Sequence, residues 1–296
     1  MSKKIKGIYP VLITPMLNQE EIDWEGYKKN IEYFIDQGVE GIAINGSTGE
    51  FVSLSTDERY KAVEMAVELI DGRINLIVGT AAERTSEAIA HTKQAEAAGA
   101  DAALLINSYY AGPTDEEVYE QFKAVAESVS FPVMIYNNPS TTGVNIGTET
   151  ILQVAKDVKN ITHIKESSGD ITKVRDIIRQ GREDIDVFCG AEDLSLESIL
   201  IGTTGWISVS ANIAPKVTMD MFDAVQNQAF DKAWDLYDQL LPLCDFLEGS
   251  GKYVQITNRA MELKGLAGGP CRLPRLPLTD DEDAKLQALM KNLGEL

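Results

Sequence analysis

One lysine, Lys165, closes an apolar run at residues 161–165 and is followed at once by the polar turn Glu-Ser-Ser-Gly-Asp at 166–170. At the end of a buried strand an amine is partly desolvated, which disfavours the ammonium form and favours the neutral NH2 that attacks a ketone to form an imine. A buried lysine held in an ion pair is the ordinary alternative, so the chemistry also has to be visible in its neighbours. Tyr136 ends another apolar run, where its hydroxyl can give or take a proton, and Pro139 and Gly143 shape the loop that follows it. A core tyrosine with a satisfied hydroxyl competes with that reading. The turn Gly46-Ser47-Thr48-Gly49-Glu50 sets two glycines and two hydroxyls side by side. Such a turn exposes backbone N–H groups to a carboxylate without needing a positive side chain, though an ordinary surface turn has the same composition. The segment Ser-Tyr-Tyr-Ala-Gly-Pro at 108–113 puts two aromatics in a loop, where packing or an interface is expected.

These residues have to be positioned by regular elements. Short apolar runs rich in β-branched residues occupy 8–14, 41–45, 74–79, 102–106, 132–136, 161–165, 187–189 and 206–209, at spacings of about 19 to 33 residues. Helical patterns lie between them. Ser55 with Glu58, and Thr114 with Glu117, form capping-box signatures. Val63, Ala66, Val67 and Ile70 then share one helix face, as do Phe122, Val125, Ala126 and Val129. Gly99 closes a helix beginning near Thr85. Alternation of helices with near-continuous apolar strands implies a parallel sheet covered by helices, and eight βα units favour a closed (β/α)8 barrel, the TIM-barrel class of α/β fold. No glycine-rich phosphate loop follows the first strand, so dinucleotide binding lacks its main support. The expected division is a barrel over residues 1–213 and a C-terminal helical extension, 214–296, packed on it. In such a barrel the strand C-termini hold the active site, and the four motifs fall at strand ends.

Composition narrows the function. The 296-residue chain carries 46 acidic and 27 basic residues, a formal charge of −19. Nucleic acid is therefore not an expected partner, and an anionic substrate must be held by local donors. Cys189, Cys244 and Cys271 are odd in number, widely spaced and outside any metal-ligand pattern, which suggests a reducing, cytoplasmic setting. The basic N-terminus leads into no apolar signal core, and no stretch has the length of a membrane span. With His91 and His163 the only histidines, a His-rich metal site is not expected.

Together the motifs resemble the family of dihydrodipicolinate synthase and N-acetylneuraminate lyase, class I pyruvate-type lyases that work through a lysine Schiff base. The resemblance runs from Ile-Tyr-Pro-Val-Leu-Ile-Thr-Pro at 8–15 to Arg-Leu-Pro-Arg-Leu-Pro-Leu at 272–278, and the combination of GSTGE, YNNP and the lysine is specific. It implies that Lys165 forms the imine, that Tyr136 is the general acid/base, and that Ser47 relays its proton. Ser47 and Thr48, with the amides of the turn that Gly46 opens, would hold the substrate carboxylate. Tyr110 would reach across a dimer interface into the neighbour's relay, in a homodimer or the tetramer usual for the family. Gly190 and Ile207 would line the pocket through backbone groups. No metal or dissociable cofactor is implied.

The chain also departs from its relatives. In dihydrodipicolinate synthases an arginine after the YN-x-P-S segment binds the aldehyde substrate's carboxylate; here that position is Thr141, and the bidentate clamp is lost. The typical sialic-acid lyase pattern, leucine and serine at 141 and 142, is not matched either. The expected substrate is a small 2-oxo acid or cyclic imino acid, such as a 2-keto-3-deoxy sugar acid or 1-pyrroline-4-hydroxy-2-carboxylate. Dihydrodipicolinate synthase or N-acetylneuraminate lyase activity proper is the alternative, and a catalytically silent 2-oxo-acid-binding barrel is the competitor from another class. Thr141, Thr142 and Asn138 offer neutral hydrogen bonds to hydroxyls. Glu192 and Asp193 resemble, in reversed order, the acidic pair with which sialic-acid lyases bind hydroxyls. Lys252 could reach the barrel mouth, a solvated lysine being the plainer reading.

Overall fold

The structure is a computed structural model that describes residues 4–296, so Met1, Ser2 and Lys3 of the basic N-terminus lie outside the described residues. Its strands are β1 (Gly7–Pro10), β2 (Gly41–Ile44), β3 (Asn75–Gly79), β4 (Ala102–Ile106), β5 (Val133–Asn137), β6 (Ile161–Glu166), β7 (Asp186–Cys189) and β8 (Gly205–Ser208). They pair in parallel in the order β1-β8-β7-β6-β5-β4-β3-β2. A parallel bridge between Val11 and Ala43 then joins β1 to β2 and closes the ring into a (β/α)8 barrel. Each apolar run of the sequence coincides with a strand. The largest boundary difference is in the first run, which stays apolar to Thr14 while β1 ends at Pro10. Beyond that point Leu12 N bonds Ala43 O at 2.8 Å and Thr14 Oγ1 bonds Gly49 O at 2.8 Å, so the segment serves the loop after β2.

Strand alternation sorts side chains between two cores. Tyr9, Ala43, Ile77, Leu104, Met134, Phe188 and Ile207 point inward and form one buried cluster. Outward residues such as Leu105, Ile135 and Ile164 pack against helices. At the floor the Tyr9 and Phe188 rings meet edge to face at 5.7 Å. Gly205 makes room for them, since a Cβ there would lie 2.3 Å from the Phe188 ring. His163 joins this floor with its ring 5.9 Å from Phe188. Lys165, two residues on in the same phase, is therefore the next inward side chain of β6, above a packed apolar base.

The helices start where their caps require. Ser55 and Glu58 close a full capping box on helix Thr56–Ile70, and Thr114 and Glu117 do so on Asp115–Ala126. Gly99, at φ 107°, ends Thr85–Ala98 in the left-handed conformation that glycine adopts without steric cost. Val129, placed on a helix face by periodicity, lies beyond the end of its helix and packs on the same cluster from the following turn.

After β8 the chain is helical, with Ser210–Ile213, Pro215–Gln226, Phe230–Gly249, Tyr253–Leu263 and Asp280–Asn292. Ile8 and Trp206, on the outer faces of β1 and β8, share one buried cluster with Phe222, Tyr237, Leu240 and Ile256 of these helices. The C-terminal helices thus pack directly on the barrel. Cys189, Cys244 and Cys271 are free and buried. Among the described residues no helix is long and apolar enough to cross a membrane, and no group of three or more His, Cys, Asp or Glu side chains is placed to hold a metal ion.

Candidate active site

Lys165 and Tyr136 are direct register partners on β6 and β5. Both are buried, and the Lys165 Nζ sits 4.4 Å from the centre of the Tyr136 ring. The adjacent-strand spacing of about 5 Å expected for the pair is therefore realised. Gly190, just past β7, flanks the lysine stem. A Cβ at that position would fall 2.0 Å from Ser167 Oγ and 2.8 Å from Lys165 Cε, so only glycine lets both side chains pass. Glu166 faces the other way and accepts from Asn137 Nδ2 at 2.9 Å and from Ser168 N at 2.7 Å. Burial pushes its carboxyl up and these bonds oppose the rise. It locks β5, β6 and the turn after the lysine together.

The loop after β5 fixes the phenol. Asn138 Nδ2 donates to the Tyr136 hydroxyl oxygen at 2.8 Å, and Ser140 Oγ donates to Asn138 Oδ1 at 2.6 Å. With its oxygen accepting, the phenol keeps its own proton available to give. Thr141 lines the cavity above the lysine, as do Asn138 and Ser140. Thr142 does not: its hydroxyl bonds the Asn138 and Val144 carbonyls within the loop at 3.1 Å each.

On the opposite wall, Gly46, Ser47 and Thr48 line the same cavity. Asn45 and Glu50 bracket the turn in left-handed backbone at φ 52° and 56°. Each such residue costs about 1–3 kcal/mol, strain of a kind that clusters at functional sites. Asn45 is held by its Nδ2 bond to Arg59 O at 3.1 Å, and the buried Glu50 carboxylate pairs with Arg275 at 3.4 Å. Among the described residues neither the Ser47 nor the Thr48 amide has a protein partner.

Several expected residues stand elsewhere. Ser47 Oγ is buried and makes no hydrogen bond of ordinary geometry, so within one chain no Ser47–Tyr136 relay is assembled. Its polar neighbour is Tyr253, whose phenol is pushed up to about 12, mainly by burial and also by Tyr136, with Arg275 and Ser47 opposing. Ile207 is fully buried in the barrel interior and its side chain is not part of the cavity wall; Val209, just past the end of β8, is. Glu192 borders the cavity, but its oxygens accept from Ser208 Oγ at 3.1 Å, Val209 N at 2.6 Å and Ser210 N at 2.9 Å. That carboxylate ties the turn after β8 and is not free for substrate. Asp193 uses its carbonyl on the Tyr237 hydroxyl and is absent from the cavity wall. Lys252 turns away to Glu282, Nζ to Oε2 2.6 Å.

Tyr110 is 91% exposed, and its loop is fixed from below. Glu83 accepts from Ser108 Oγ at 2.5 Å and from the amides of Tyr109, Tyr110 and Ala111 at 3.0, 3.1 and 2.9 Å. Burial raises the Glu83 carboxyl, but these bonds together outweigh it and hold it below its ordinary value.

Among the cavity residues not singled out from the sequence are two with titratable side chains, Tyr253 and Glu248. Glu248 accepts from Glu192 N at 2.8 Å. Crowding by protein, with Glu192 and Asp193 nearby, pushes its carboxyl up toward about 7, a rise tempered by the residue's exposure at the cavity mouth. The only signal for either was the Gly-Ser-Gly turn at 249–251, which breaks the helical pattern between them.

The chain's similarity to known proteins agrees with this geometry. The model of the Dihydrodipicolinate synthetase family matches residues 4–293. A 4-hydroxy-tetrahydrodipicolinate synthase of Methanococcus maripaludis is 37% identical over 99% of this chain and 100% of its own. The crystal structure of chloride-inhibited dihydrodipicolinate synthase from Acinetobacter baumannii in complex with pyruvate superposes with TM-score 0.94 at 34% identity, covering 99% of this chain and 100% of that one. The 4-hydroxy-tetrahydrodipicolinate synthase of Methylacidiphilum fumariolicum also gives 0.94, at 31% identity over 99% and 97% of the two chains.

Proposed function

Since the chain belongs to the dihydrodipicolinate synthetase family, we propose that it is a class I lyase that binds a small 2-oxo acid as an imine on Lys165. The Lys165 Nζ poised over the Tyr136 ring, in a cavity whose opposite wall offers two unpartnered amides, is the observation that carries this reading. The substrate carboxylate docks on the Ser47 and Thr48 amides, which places C2 toward the lysine. The amine adds to C2, Tyr136 gives its proton to the resulting carbinolamine oxygen, and water leaves as the C=N bond forms. The protonated imine then withdraws electrons from C3, so a bond there can break or form without a metal. Asn138 holds Tyr136 for that transfer. The A. baumannii relative, crystallised with pyruvate, supports a 2-oxo acid as the ligand.

Within this class the substrate is a 2-oxo acid or a cyclic imino acid that gives the same lysine adduct. The reaction of dihydrodipicolinate synthase proper is the second reading, favoured by the name of the M. maripaludis relative. Thr141 argues against it, because it supplies no charge where that reaction's second carboxylate is clamped. Intact-mass measurement after borohydride reduction with pyruvate tests the imine. One pyruvyl adduct is expected, located on Lys165 and lost in Lys165→Ala; a native chain that takes up none is no lyase of this kind and fits a silent binding barrel. Turnover with pyruvate and aspartate semialdehyde, set against 2-keto-3-deoxy sugar acids and the hydroxylated pyrroline carboxylate, separates the two readings.

A further inference from the structure

The cavity wall carries two chemically different sets of groups. On the β2 side, the bare amides of the Ser47–Thr48 turn, with Tyr253 beside them, fit the carboxylate next to the reacting carbon. Away from that turn the wall includes Glu248 and, from the loop after β5, Thr141 and Ser140. Lys165 is the one cationic side chain among the cavity's lining residues. Arg275, whose charge acts on Tyr253, pairs with Glu50 at 3.4 Å. Glu192 is acidic but fully occupied by Ser208, Val209 and Ser210. Glu248 differs: Oε1 accepts from Glu192 N at 2.8 Å, and Oε2 has no partner among the described residues.

From this arrangement we infer that Glu248 is a specificity-determining residue, selecting a 2-oxo acid whose distal end donates hydrogen bonds, a hydroxylated tail, over one that ends in a carboxylate. The inference rests on the lyase reading and names the substrate class within it. A tail hydroxyl finds an open carboxylate oxygen at Glu248 and neutral partners at Thr141 and Ser140. A second carboxylate in the same place finds no compensating cation, and meets like charge wherever the pH leaves Glu248 ionised, so the discrimination sharpens as pH rises; rejection by an unpaired or repelled charge discriminates more sharply than attraction alone.

Two five-carbon acids of equal length make the test, 4,5-dihydroxy-2-oxopentanoate and 2-oxoglutarate. The rate of borohydride-trapped adduct on Lys165 is measured for each, counting both intact adduct and any pyruvyl fragment left by cleavage, with pyruvate alone as reference. The native chain is expected to trap the dihydroxy acid at least tenfold faster than 2-oxoglutarate. Glu248→Gln should bring the two rates within a few-fold of each other, and Glu248→Lys should favour 2-oxoglutarate. A ratio unchanged within twofold in both variants, or a native chain that traps the two acids equally, overturns the inference while pyruvate trapping leaves the lyase reading standing. A native chain that traps no pyruvate removes both.

Discussion

At the scale of single residues the site depends on how closely side chains pass one another. Gly190 is the sharpest case, because its missing Cβ is what allows Ser167 Oγ and the Lys165 stem to share the top of β6. Gly190→Ala should fold, at a cost of about 1–3 kcal/mol for overpacking, yet slow imine formation by roughly a hundredfold, the penalty of a displacement near 1 Å in a reacting group. Thermal melting and borohydride trapping with pyruvate check the two parts separately; undiminished trapping would mean that the lysine does not need its present path. Lys165 was legible in the sequence because it is a charged residue in the inward phase of a strand. Ile207 was expected at the pocket wall from the resemblance alone; it lies within β8, and the lining side chain there is Val209, just past the strand end. Glu248 and Tyr253 were invisible because nothing local links a helix end and a turn in the C-terminal region to strand ends more than 80 residues away.

Among the elements, strands and helix starts were readable because their causes are local. The apolar runs, the capping boxes at Ser55 and Thr114 and the Gly99 terminus all act within a few residues. What holds the C-terminal segment to the barrel is not local. Arg272 donates to both Glu58 oxygens at 2.9 and 2.6 Å and to the Ser53 and Glu20 carbonyls at 2.6 Å each. Glu58 also completes the capping box through Ser55 N at 2.8 Å, so one carboxylate serves a helix N-terminus and a partner 214 residues away. The Arg272 bonds, with help from Ser55, hold its pKa down to about 2 from an ordinary 4.5. A depressed carboxylate contributes stability above its unfolded value, and that contribution is lost as pH falls through the folded one. Arg272→Gln should therefore lower stability by about 1–3 kcal/mol at neutral pH, and the deficit should shrink as pH falls from about 4.5 toward 2. Urea midpoints at pH 7 and pH 3 read this directly; an equal deficit at both would place the effect outside the Glu58 pair.

For the whole molecule, the barrel class could be read from eight regularly spaced runs, but assembly could not, since an interface is built by a second chain. Tyr110 carries the proposal that this protein is a homo-oligomer. A 91% exposed aromatic is poorly placed in an isolated chain, and the Glu83 bonds hold its loop's backbone rigid, which lowers the ordering cost of docking it. Assembly has to overcome repulsion between chains of formal charge −19, so salt, by screening that repulsion, should strengthen it. Two substitutions separate packing from proton transfer at this residue. Tyr110→Phe keeps the ring and should remain assembled in sedimentation velocity, and, under the proposal that Tyr110 serves the neighbour's relay, kcat should fall with the lost hydroxyl. Tyr110→Ala removes the ring as well and should dissociate at concentrations where the native chain stays associated. A native chain that sediments as a monomer with full turnover would contradict both expectations, and would leave the buried, unbonded Ser47 hydroxyl to work with Tyr253 of its own chain.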